Sequence, residues 1–425
     1  MVERRARLDG RTLYVPRMCV GASHALAAGF RGVGIDARPC PQAGAWATEL
    51  AQRYTSGDEC YPQRVTLADF FQAMDEEGFD PPRAAFLMPT TSGPCRFGQY
   101  SLLLERVLRL HGCPEVAVVS PSSDTGYREI AAHATSLKRL LWWATVGSDV
   151  LRSLLHRTRP YETVPGTADR AYEEGLEDLC AALAAPGGAG GPKLARVAAS
   201  LGRSLARFRG VEADRSRERL LVGMVGEIFC RLSTFSNEDV IRTVERLGGE
   251  VWLSGIGEWV WYVNEWEKVQ ARSGGLPNLL SWFGTALSLA VQRRDEHRLL
   301  APVEEAVRGY EEPHEVSEVL ELARPYLPWE GALGEMVLSV GKAAYLQRKG
   351  ADAVIDVSPF GCMNGVVSEA VYPRVSRDYG GIPIRNFYFD GAGADPESDL
   401  EIFLELARNY RRRKPVPRPP AGLGG

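Results

Sequence analysis

The sequence predicts an α/β protein with two domains, each built on a parallel four-stranded sheet, and a helical segment between them. Three observations carry this. Short apolar or β-branched runs alternate with amphipathic stretches near both ends of the 425-residue chain. The runs close on Pro, Gly or Ser, as strands entering turns do. The middle of the chain is rich in Ala, Leu and Arg and carries few strand signals.

The elements follow in order. RTLYVP (11–16), IDARPC (35–40), RAAFLMP (83–89) and VAVVSP (116–121) read as strands. Between them, ASHALAAGFRGVG, VTLADFFQAMDEEG and YSLLLERVLRLHG read as helices, ending in the glycine that favours a helix C-terminus. This alternation implies a parallel sheet with helices on its faces over residues 1–128, in the manner of Rossmann-like or flavodoxin-like folds. Residues 129–216 form the helical segment, interrupted by a flexible loop at APGGAGGPK (185–193). Alternation resumes over 217–412. LLVGMVGEIF (220–229), EVWLSG (250–255), ADAVIDVSPFGC (351–362) and IPIRNFYFD (382–390) are the strand candidates. A helix is expected over SNEDVIRTVERLGG with Ser236 or Asn237 near its N-cap, and a helical insertion over 258–349. The basic, Pro-rich residues 413–425 are expected to be a disordered tail.

Composition is that of an ordinary globular chain: 45% hydrophobic, 24% charged, net charge −4. That balance argues against nucleic acid or an acidic membrane surface as the main ligand. The opening MVERRARLDG is charged and resembles no secretory signal, and no run of about 18 apolar residues occurs, so a cytoplasmic location is expected.

There are eight cysteines and no CxxC, so a metal site would have to be assembled from residues distant in sequence. Cys95 (MPTTSGPCRFGQY) and Cys362 (VIDVSPFGCMNG) have similar surroundings: an apolar strand, a Pro, a Gly shortly before the Cys, then a helix. Cys60 (TSGDECYPQRV) precedes a helix. Ligands in open α/β sheets gather beyond the carboxyl ends of strands, and helix N-termini favour thiolates, so these three are candidate iron–sulfur ligands. Zinc held by three thiolates is the competing metal, although no His or carboxylate stands out as its fourth ligand. Cys113, Cys180, Cys230, Cys19 and Cys40 read as small buried hydrophobes.

The motifs TSGDECYP, MPTTSGPCRFGQY, VGMVGEIF and SPFGCMNGVVSEAVYPRV resemble those of 2-hydroxyacyl-CoA dehydratase and benzoyl-CoA reductase subunits, in particular the acyl-CoA dehydratase activase-related branch. The resemblance covers roughly residues 10–128 and 217–408. It implies a [4Fe-4S] cluster held by three cysteines of two α/β domains, here Cys60, Cys95 and Cys362, or half of a double-cubane cluster. It also implies a separate ATPase activase of actin-like fold that supplies low-potential electrons, a homo- or heterodimer with a related subunit, and a small-molecule substrate of acyl-CoA type. No CoA-binding signature is found in the sequence. Glu227 and Arg96 are candidate site residues: Glu227 as an acid or base or as a loop anchor, Arg96 as a charge partner of the cluster or a solvent-facing residue.

Two functional readings follow. The chain either passes electrons to a substrate at an open iron, as a dehydratase- or reductase-like component, or serves as a non-catalytic electron relay or scaffold. A third reading, a zinc-stabilised or metal-free structural protein, is separated from both by metal analysis. Other motifs are set aside. GVGIDA (32–37) runs from helix to strand, the reverse of a dinucleotide turn. GIGEWV (255–260) lacks a third Gly but sits where a phosphate-binding turn would. FDGAG (389–393) reads as a turn after the last strand, and WVWYVNEW (259–266) as helix packing. The six His residues are scattered, and none is assigned a role.

Overall fold

A computed structural model describes residues 8–91, 93–121, 134–217, 219–273, 279–312, 315–330, 334–393, 396–414, 416–419 and 422–423. The chain divides into two compact units, Met1–Thr145 with Asp178–Lys193, and Val146–Glu177 with Leu194–Gly425.

The first unit contains β1 (Thr12–Val15), α1 (Val20–Arg31), β2 (Ala37–Pro39), α2 (Ala45–Arg53), α3 (Tyr61–Met74), β3 (Ala84–Leu87), α4 (Tyr100–Leu110) and β4 (Ala117–Val119). All pairings are parallel, in the order β2-β1-β3-β4. Strand side chains alternate between faces. Tyr14 and Phe86 enter one core cluster with Phe70 and Phe71, and the Phe70 and Phe86 rings stack at 4.3 Å. Leu13, Val15, Ala85 and Leu87 enter the other, with Phe30. Both faces are therefore covered, as a parallel sheet requires.

The helical segment is present as α5 (Ala134–His156), α6 (Thr167–Ala184) and α7 (Gly191–Arg209). Each of these helices has residues assigned to both units.

The second unit continues with β5 (Leu220–Gly226), α8 (Ile228–Leu232), α9 (Val240–Arg246), β6 (Gly249–Leu253), α10 (Ile256–Ser273), α11 (Leu279–Leu300), α12 (Glu304–Val307), α13 (Val316–Ala323), α14 (Glu335–Arg348), β7 (Ala353–Pro359), α15 (Met363–Asp378), β8 (Ile384–Phe389) and α16 (Glu397–Arg411). Its strand order is β6-β5-β7-β8, again all parallel. The central strands β5 and β7 are buried along their whole length, whereas the edge strand β8 is mostly half-buried. Fully burying a Val, Leu or Ile contributes about 1.5–3 kcal/mol, so these two runs make up much of the unit's core. Tyr262 of α10 is buried, and Trp259 and Trp261 pack against the same cluster, as expected for helix packing.

Three expectations differ from the structure. The strand expected over 220–229 stops at Gly226, whose φ of +116° breaks the extended backbone. The helix expected from Ser236 or Asn237 begins at Val240 with Asp239 at its N-cap; Asn237 is instead buried and donates to the carbonyls of Cys230 and Arg231 at 2.9 and 3.2 Å. The segment after α16, expected to be disordered, lies against the second unit where it is described: Arg418 is ion-paired and Leu423 is buried. Composition registers the scarcity of apolar residues there but not one buried ion pair. No helix among the described residues is long and apolar enough to cross a membrane.

Candidate functional site

Both sheets have their central pair, β1 with β3 and β5 with β7, at the point where the chain's connections diverge to either side. The carboxyl ends of such a pair form the customary ligand crevice of an open α/β sheet.

In the first unit, Cys95 follows β3 and is the N-cap of a 3₁₀ turn, Arg96–Gln99, that leads into α4. Cys60 is the N-cap of α3. The two loops are tied together, because the Arg96 guanidinium donates to the carbonyl of Asp58. Arg96 thus braces the loop of Cys60. The Cys60 loop also holds itself: the Glu59 carboxylate accepts from the backbone N–H of Ser56 at 2.9 Å and of Gly57 at 3.1 Å. Cys95 is exposed and Cys60 half-buried. Gly98 keeps the turn tight, since a Cβ there would lie 2.7 Å from the Thr91 carbonyl oxygen.

In the second unit, Cys362 follows β7 and is the N-cap of α15. All three residues share one extended backbone, with φ/ψ of −60/143, −69/132 and −70/130° for Cys60, Cys95 and Cys362. None of the three side chains makes a capping hydrogen bond to its own helix start. The backbone N–H groups of Asn364 and Gly365, in the first turn of α15, favour the Cys362 thiolate. Burial pushes its thiol up to about 12, with the Glu227 and Glu335 carboxylates adding to the rise and the two N–H groups opposing it.

Acidic groups surround that cysteine. Glu227 is the N-cap of α8 and accepts from Phe229 N at 3.0 Å and Cys230 N at 2.7 Å, which anchors the start of that helix. Glu335, the first residue of α14, accepts from Ile228 N at 2.8 Å and from the Asn364 amide at 3.3 Å. Asp356 of β7 accepts from Ser358 at 2.6 Å, Ser368 at 3.0 Å and Tyr372 at 2.6 Å, which fixes α15 to the strand beneath it. Burial raises all three carboxyl groups above their ordinary range. The buried Arg231 donates to the carbonyls of Gly226, Ser254 and Gly255 and lies 3.8 Å from Glu335. Gly226 is obligatory here: a Cβ would sit 2.2 Å from the Val357 carbonyl oxygen.

Glu335, Asn364, Asp356 and Arg231 escape a reading of the sequence. Asp356 and Asn364 stand near Cys362 in the chain, on β7 and in the first turn of α15; Arg231 follows β5, which pairs with β7, and Glu335 comes from the start of α14.

None of the remaining cysteines forms a disulfide. Cys19, Cys40 and Cys230 are buried as expected, while Cys113 and Cys180 are half-buried. The turn of GIGEWV is filled from within: the Asp149 carboxylate accepts from Ile256 N at 3.2 Å and Gly257 N at 2.8 Å, and a Cβ on Gly255 would lie 2.6 Å from it. An anion already stands where a phosphate would. GVGIDA runs from α1 into β2, and FDGAG is a turn in which Asp390 accepts from Ala392 N at 2.8 Å.

Among the described residues, no three His, Cys, Asp or Glu side chains are grouped as a metal ion would need. Cys60 and Cys95 belong to the first unit and Cys362 to the second. No protein-family model matches the sequence, and no curated protein gives a significant match.

Proposed function

We propose that the chain is an iron–sulfur protein in which Cys60, Cys95 and Cys362 hold a [4Fe-4S] cluster or half of a double cubane. The observation that supports this reading is the common placement of the three thiols. Each is the N-cap residue of a helix or 3₁₀ turn, and the three have similar backbone angles. The donor set fits the group: iron–sulfur clusters take thiolates, and the backbone N–H groups at the start of α15 favour the Cys362 thiolate. Because burial and two carboxylates hold the Cys362 thiol in its protonated form, loading must release that proton. When bound, the group supplies one-electron transfer at an iron that lacks a fourth protein thiolate.

The chain's own residues have separate tasks in this reading. Arg96 fixes the Cys60 loop against that of Cys95. Glu227 and Glu335 order the start of α8, and Glu335 reaches Asn364 in the first turn after Cys362. Buried carboxylates near a ligand thiolate disfavour added negative charge and so favour a low reduction potential. Electrons would come from a separate ATPase activase of actin-like fold and pass to a small, hard-to-reduce substrate of acyl-CoA type, in the cytoplasm.

The test is anaerobic purification with iron and acid-labile sulfide quantitation and EPR, on wild type and Cys362→Ala. About four irons per chain, lost in the variant, are expected. Wild-type protein that stays free of iron after reconstitution would refute the reading, and zinc in its place would favour a structural metal.

A further inference from the structure

A second buried polar site lies in the second unit, apart from the cysteine loops. Glu250 of β6 is 1% exposed. Tyr161 donates to its Oε2 at 2.5 Å and Tyr310 to its Oε1 at 2.7 Å. The Arg418 guanidinium completes the arrangement. Its Nη2 lies 2.9 Å from Glu250 Oε2 and 2.9 Å from the Tyr310 hydroxyl, its Nη1 donates to the Arg219 carbonyl at 2.7 Å, and its Nε donates to the Pro419 carbonyl at 3.3 Å. The Arg157 guanidinium stands 3.9 Å from the centroid of the Tyr310 ring and donates to the carbonyls of Ala306 and Gly422.

The surrounding backbone is shaped for this segment. Gly350 has φ +88°, and a Cβ there would lie 2.2 Å from the Pro417 carbonyl oxygen and 2.8 Å from the Arg418 Cα. Gly309 has φ +84°, and its Cβ would meet the Pro419 ring at 2.8 Å. Beyond the prolines, Arg209 donates to the Leu423 carbonyl at 3.2 Å, and Leu423 is buried. Two side-chain-free surfaces, a preorganised carboxylate and a buried apolar foothold thus receive one stretch of chain.

We propose that Glu250, Tyr161 and Tyr310 form a guanidinium-binding site whose ligand class is an arginine held between prolines, and that Pro417-Arg418-Pro419 is its resident ligand, fastening the residues after α16 as a strap across the second unit. A planar guanidinium can address a carboxylate, a phenol and a carbonyl in different directions at once, whereas an ammonium is a point charge on a flexible stem. The two tyrosine hydroxyls supply the remaining hydrogen bonds that a buried carboxylate needs. The inference does not depend on the iron–sulfur reading.

Chemical rescue tests it on the full chain. Arg418→Ala is expected to melt below wild type. Millimolar ethylguanidinium at fixed ionic strength should then raise the Tm of that variant by about 2–4 °C. It should not raise the Tm of wild type or of Arg418→Ala/Glu250→Gln, and ethylammonium should raise none of them. Equal effects of the two cations, or the same rescue without Glu250, would overturn the proposal. Should Arg418→Ala not fold, Arg418→Lys carries the test: amide exchange at Val416, residue 418, Gly422 and Leu423 should accelerate at least about tenfold while β5 is unchanged. Exchange there equal to wild type would overturn it.

Discussion

At Cys362 two influences on one sulfur oppose each other. Burial and the carboxylates of Glu227 and Glu335 hold the proton on the thiol, and the N–H groups of Asn364 and Gly365 favour its loss. Removing one carboxylate's charge should tip the balance. In metal-free Glu227→Gln, the alkylation rate of Cys362 at pH 8, followed by peptide mass spectrometry, is expected to rise at least about threefold. An unchanged rate would mean that burial alone sets the thiol. Asp69 offers a cleaner titration in the first unit. Burial raises its carboxyl to about 7, against the lowering effect of the Ala43 N–H. A folded-state pKa above the unfolded value means that the stability this group contributes is complete below about 4 and is lost as pH rises to about 7. Asp69→Asn is therefore expected to gain on the order of 2–4 kcal/mol relative to wild type between pH 4 and pH 8, measured by denaturant unfolding. A constant difference across that range would contradict the assignment. Neither effect was legible in the sequence, because both depend on groups that come together only in the folded unit.

Strands were the most legible elements. All eight runs read from the sequence appear as strands, since each pairs a short apolar run with a Pro, Gly or Ser terminator and the sheets bury both of their faces. Element ends were less legible where one residue's conformation decides them. Gly226 closes β5 and turns the chain into α8, a role that needs its positive φ and the missing Cβ. Gly226→Ala should cost about 2–4 kcal/mol, combining backbone strain with a clash against Val357. A loss under about 0.5 kcal/mol would show that the turn relaxes freely. The start of α10 also depends on a distant partner. Asp149, remote in sequence, accepts its first N–H groups. Asp149→Ala is expected to lower stability by about 1–3 kcal/mol, and Asp149→Asn by less, as read by thermal unfolding. Glu227 caps α8 through its own side chain.

Across the molecule, the two units repeat one plan. In each, the second strand in sequence lies outside the first, the third lies on its other side, and the loop after the third strand carries a cysteine at a helix start, Cys95 in one and Cys362 in the other. The repeated count of four strands and the matching cysteine motifs could be read from the sequence; the strand order could not. Most of the polar framework around Cys362 could not, because Arg231 and Glu335 are brought to it by strand pairing and helix packing and not by local sequence. The central claim concerns the ligand set. It is tested most directly by iron and sulfide content in anaerobically purified wild type beside four single variants: Cys60→Ala, Cys95→Ala, Cys362→Ala and Cys113→Ala. The account predicts about four irons per chain in wild type and in Cys113→Ala, and loss of most of the iron in each of the other three. Iron retained in any of those three, or no iron in wild type, would contradict it.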